Sequence, residues 1–196
     1  MVAAVALALL ALAGGAGAAA SCAPAGATVL ANSGSAQLYS AGPNVYGCFG
    51  SRDTLLGPGP ALSHPTRIAR EVLSGHFAGV DVAQMGVDTF ASSVKIVNLA
   101  TGATVGSTQA TAPLRRAESF IQVTAMAITP AGTLAWIGSA SAIGMLTPIY
   151  EVRTLHGASE HLLASGPKIS PHSLALSGTT LRWRSDGRTH TAPLSS

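Results

Sequence analysis

Three sets of side chains have types and spacings that chemistry would use. The first is a scatter of carboxylates, Asp81, Asp88, Glu118 and Glu151. Two of them held close together would supply the acid and the base, or the nucleophile, of glycoside cleavage. Asp81 and Asp88 flank one turn and the others lie far along the chain, so the fold would have to bring any pair together. Asp88, soon after Gly86, also has the position of a turn aspartate bonded to its own backbone. The second set, His156, Glu160 and His161, holds metal-ligand donor types. Its spacing places the two imidazoles on opposite sides of a strand, or apart on a helix, next to the turn at Gly157, so we read it as a solvated loop. The third set is basic: Arg182, Arg184 and Arg188. Guanidinium groups pair with phosphate or carboxylate, and they also keep an edge strand soluble and unpaired.

No other chemistry is written in the chain. There is no His-Glu-x-x-His, Gly-x-Ser-x-Gly, Gly-Lys-Ser/Thr phosphate loop or Cys-x-x-Cys. No cofactor is implied. With 11 Lys and Arg against 8 Asp and Glu, the net charge is only +3. The basic residues are spread out rather than set in a stripe interleaved with aromatics, so nucleic acid is set aside as a partner.

The elements that must position these groups are strands. From Ser173 to Leu194, Leu174, Leu176, Leu181 and Trp183 alternate with Ala175, Arg182 and Arg184, the period of a strand with two distinct faces. Asp186-Gly187 suits a two-residue type I′ turn. That turn places Trp183 opposite His190, with Arg182 and Arg184 on the other face beside Thr189 and Thr191. Met126-Ala127-Ile128 followed by Thr133-Leu134-Ala135-Trp136 repeats the same pattern, which makes Trp136 and Trp183 core residues at equivalent positions. Stacking of these rings on carbohydrate is the sharper alternative.

Earlier strands are expected at Ala27–Leu30, Ala36–Tyr39, Asn44–Phe49 and Asp53–Leu56. Gly57 to Pro65 is expected as a surface connection, and Thr66–Leu73 as either a helical turn or a strand. Further strands are expected at His76–Val82, Val94–Leu99, Ala103–Val105, Ile121–Val123, Met126–Ile128, Leu134–Ile137 and Ile149–Leu155. The small apolar stretch Gly138–Thr147 reads as a loop or a poorly specified strand.

Ser93-Val94-Lys95-Ile96-Val97-Asn98-Leu99-Ala100-Thr101-Gly102 resembles the outer-strand segment of a WD-type β-propeller blade, with Val97 and Asn98 at the places of the family's Trp-Asp pair. The resemblance implies an all-β, propeller-like array of about four antiparallel units of some forty residues, incomplete or open. The neighbouring arginines of the last hairpin favour an open face there. A central channel in such an array is where the carboxylates would gather.

Val2 to Ala13 is an unbroken apolar run, and Ala18-Ala19-Ala20 before Ser21 offers the small residues of a signal-peptidase site. Residues 1–20 are therefore expected to be a signal peptide and 21–196 a single β-repeat domain. No Lys or Arg precedes the run, which points to an atypical leader or to a start codon further upstream. The run is short and dilute for a membrane span, so no transmembrane segment is expected after cleavage. Lipoprotein anchoring at Cys22 is an alternative. The two cysteines, Cys22 and Cys48, are expected to form a disulfide in an exported chain. Together these features predict an extracytoplasmic, non-catalytic binding or scaffold protein, secreted or associated with the cell envelope. Its partner would be an envelope polymer or another protein. The alternative is an extracytoplasmic hydrolase or lyase.

Overall fold

The computed structural model describes residues 22–60, 64–113 and 119–194, and every element in them is a β-strand. Strands β1 (Thr28–Ser33), β2 (Ala36–Ala41), β3 (Asn44–Phe49) and β4 (Arg52–Pro58) form an N-terminal antiparallel meander. An eight-stranded central sheet follows. It contains β5 (Thr66–Ser74), β6 (Phe77–Met85), β7 (Phe90–Asn98), β8 (Ala103–Gln109), β9 (Ser119–Ile128), β10 (Leu134–Ala142), β11 (Ile149–His156) and β12 (Ser159–Gly166). The last sheet has three strands, β13 (Ala175–Ser177), β14 (Thr180–Ser185) and β15 (Arg188–Pro193).

Alternation of apolar and polar residues decides which way each strand faces. Three apolar clusters result, and they join the sheets in chain order. Leu38, Val45 and Leu56 of the first sheet pack on Ile68, Val80, Val97 and Leu99. Val94 and Ile96, on the opposite face of β7, pack on Val123, Leu134, Trp136 and Leu155. The alternate residues of β10, Ala135 and Ile137, turn outward with Val152 to meet Leu181, Trp183 and Leu194 of the last sheet. The central sheet is thus doubled over on itself, with one smaller sheet on each outer face.

This arrangement corrects the propeller expectation: the array is all-β and antiparallel almost throughout, but its sheets are neither propeller-like nor closed. The strands expected as second and third blades share one sheet, because β7 meets β9 in a parallel pairing at Phe90 and Phe120. Among the described residues none of the three apolar clusters joins the first sheet to the last, and no ring forms around a central channel. The blade-like segment 93–102 contributes an inner strand, paired with β6 and β8, rather than an outer one. Asn98 Oδ1 accepts from the amides of Ala100 and Thr101 and closes the turn there.

Two local expectations also change. Thr66–Ser74 is a strand, paired along its length with β6. The stretch after Ile137 continues β10 as far as Ala142, and it is small because another segment crosses it. A Cβ on Gly138 would stand 2.3 Å from the carbonyl oxygen of Ala110 and 2.5 Å from Thr111 Cγ2.

The Cys22–Cys48 disulfide is present, with Cα atoms 6.1 Å apart, and Cys48 is fully buried on β3. Gln37 Oε1 accepts from the amides of Cys22 and Ala23, both at 3.1 Å, so the start of the described chain is tied to β2 twice. A native disulfide is the mark of an oxidising compartment. The apolar run 1–20 lies outside the described residues.

Candidate functional site

The last hairpin folds in the expected register, with Trp183 opposite His190, Arg182 opposite Thr191 and Arg184 opposite Thr189. Asp186 and Gly187 both have positive φ, 52° and 75°, as the type I′ turn requires. Trp183 is 5 % exposed and its ring stacks on His190 with centroids 5.6 Å apart. The outward face is continuous and open: Arg182, Arg184, Thr189 and Thr191 are exposed, with Ser177 beside them and Thr180 half-buried. None of the three strands holds a carboxylate.

The same register separates the basic patch. Arg188 is exposed but pairs with Ser185, so it shares the face of Trp183 and His190 rather than that of Arg182 and Arg184. The candidate site on the outward face is therefore a pair of arginines, Arg182 and Arg184.

The carboxylates do not gather among the described residues, and Glu118 lies outside them. Asp88 is exposed on the turn between β6 and β7. Glu151 is buried and engaged: its Oε2 accepts from the Ala112 amide at 3.0 Å and from Arg153 Nε at 2.6 Å. Arg153 also pairs with Glu160, which accepts from Thr108 of β8. This network ties β11 and β12 to β8 and serves the fold. Asp81 is 1 % exposed in the middle of β6, facing the doubled interface beside Ser92. Burial pushes the Asp81 carboxyl up to about 6, against the opposing pull of the Ser92 hydroxyl and the Arg70 guanidinium.

The histidines are placed differently from expectation. His156 and His161 belong to the two strands of one hairpin, where His156 pairs with Ser159 and Thr154 with His161. This register brings both imidazoles to one face, lining a cavity of about 440 Å³ with Thr133, Thr154 and Leu194. Thr133 Oγ1 lies 3.0 Å from His156 Nδ1. Glu160 points away, to Arg153, so the three residues do not converge, and among the described residues no group of three metal-type ligands exists. Thr133 and Thr154 carry no signal of their own in the sequence; the register of β10 on β11 and of β11 on β12 brings them to this face.

Neither a protein-family model nor a curated protein sequence matches the chain.

Proposed function

We propose that this chain is an exported, non-catalytic binding protein that holds an anionic cell-envelope polymer on the outer face of its last sheet. The observation that carries the reading is the Arg182–Arg184 pair. Both arginines stand out on alternate positions of β14, on a face bordered by hydroxyls and free of carboxylates. Guanidinium forks suit repeated phosphate or carboxylate groups, and serine and threonine hydroxyls supply uncharged donors beside them. The disulfide and the apolar run at the N-terminus support export. A hydrolase or lyase reading has no comparable support, since Glu151 is ion-paired, Asp88 lies on an open turn and the sheets enclose no channel.

The test is retention of the protein on an immobilised phosphodiester polymer and on a neutral glucan. Retention only on the anionic polymer, falling with salt and lost in Arg182→Ser/Arg184→Ser, is the expected result. Equal retention of variant and parent would overturn the reading.

A further inference from the structure

Strand register gathers the exposed apolar side chains at one end of the central sheet. Met85 closes against Phe90 at the β6–β7 turn, Phe90 pairs with Phe120, Ser119 with Ala142, and Ala140 with Ile149. The turn at residues 86–89, the start of β9 and the turn at residues 143–148 therefore lie at the same end. Among the described residues, six of the eleven exposed large apolar side chains are found there: Met85, Val87, Phe120, Ile143, Leu146 and Ile149. Val87 and Leu146 are exposed to 100 % and 101 %, as turn residues with no packing at all. A recess of about 400 Å³ opens between Met85, Val87, Phe90 and Phe120.

Charge accompanies these tips. Tyr150 pairs with Gly166, so β12 also finishes at this end, and the chain then reaches Lys168, which pairs with Asp186 at the β14–β15 turn. Arg184 and Arg188 flank that turn, and Arg67 sits near the start of β5, opposite Ala83. Among the described residues four cations, Arg67, Lys168, Arg184 and Arg188, thus lie at this end with two acids, Asp88 and Asp186, the latter ion-paired with Lys168.

We propose that this end docks on an anionic lipid bilayer, with Val87 and Leu146 entering the interface and the cations facing the headgroups. Met85, Val87 and Phe120 share the recess while Ile143 and Leu146 stand out on a separate turn, and a deformable interface accepts apolar groups set at differing depths in this way. The surplus of Lys and Arg beside the tips complements an anionic leaflet. Among the described residues no helix is long and apolar enough to cross a membrane, so the contact is peripheral as far as helices are concerned.

The full chain and its Val87→Ser/Leu146→Ser variant share residues 1–20, so the difference between them isolates this end. Sedimentation with phosphatidylglycerol/phosphatidylcholine vesicles should show at least a roughly tenfold loss of binding in the variant. Binding by the parent should also weaken on pure phosphatidylcholine, and Val87→Trp should strengthen it. Both serine substitutions are at exposed positions, and an unchanged melting temperature verifies the fold. Unchanged binding in the variant, or no preference for the anionic vesicles, would overturn the proposal. A concentration-dependent dimer that the variant dissolves would overturn it too, assigning the end to a second copy. Polymer retention through Arg182 should be unaffected by Val87→Ser/Leu146→Ser, so the two readings fail separately.

Discussion

The indole of Trp136 on β10 donates to the carbonyl oxygen of Ala110 at 2.7 Å, in a part of the core where both residues are fully buried. Trp183, at the equivalent place in the last hairpin, has no acceptor for its Nε1 among the described residues. Replacing each by Phe should therefore separate them. Trp136→Phe leaves the Ala110 carbonyl without this donor, whereas Trp183→Phe removes an orphan donor, and the two losses of stability should differ by about 1–3 kcal/mol. Urea unfolding of the two variants measures the difference, and equal losses would contradict the hydrogen-bond assignment.

Truncation tests the two faces of the same hairpin. Trp183→Ala should cost about 3–5 kcal/mol through the lost contacts of a buried ring. Arg182→Ser/Arg184→Ser should cost under about 1 kcal/mol, as exposed positions do. The reverse ranking would mean that the register is shifted by one residue.

The disulfide closes a loop with a sequence separation of 26. Loop-closure entropy gives it a contribution of about 3.5 kcal/mol, so Cys22→Ser/Cys48→Ser should lower the unfolding free energy by that order. Intact mass of the protein should rise by two hydrogens on reduction. N-terminal sequencing of the same sample should begin at Ser21, and a lipid-modified Cys22 would show anchoring instead.

Asp81 sets a pH dependence. Its carboxyl titrates at about 6 in the folded chain against an ordinary value of 3.8, so the folded state holds the proton more tightly. Protonation therefore stabilises the fold: the contribution is fully present below the ordinary value and is lost as pH rises through about 6. The difference corresponds to about 3 kcal/mol of penalty on the charged form at neutral pH. Asp81→Asn should raise stability near neutral pH and flatten the rise seen on acidification. Thermal melts across that range would show whether it does.

Arg153 lies between two carboxylates, Glu151 and Glu160, with its side chain only 13 % exposed. Arg153→Met removes the shared cation and leaves both acids facing each other. A loss of about 3–5 kcal/mol is expected near neutral pH, as for a broken buried ion pair. Chemical denaturation measures it, and a neutral outcome would show that water replaces the guanidinium.

What could be read from the chain was local. The Asp186-Gly187 turn and the alternation around Trp183 specify a hairpin completely, down to which residues face each other. The Cys22–Cys48 bond followed from count and compartment. What differed depended on the register across a turn or on how sheets cover one another. Arg188 was grouped with Arg182 and Arg184 by proximity in sequence, although a two-residue turn pairs Ser185 with Arg188 and so puts Arg188 on the tryptophan face. The two histidines looked opposed as residues of one strand and are neighbours across a hairpin. Asp81 reads from the sequence as one of four scattered carboxylates, because nothing local marks a carboxylate that other strands will cover. The contact between Phe90 and Phe120, which merges two expected units into one sheet, has no local signature at all.

Apart from that one parallel contact, the named strands pair with strands adjacent in the chain. Sheet formation by such local pairing requires little long-range search. For a polypeptide delivered across a membrane with its N-terminus first, each meander has its partners in place once its final strand emerges, and Cys48 arrives early enough to meet Cys22 before the central sheet exists. The last three strands then close over Ala135, Ile137 and Val152, apolar groups that would otherwise face water, so the C-terminal hairpin acts as the lid that ends assembly.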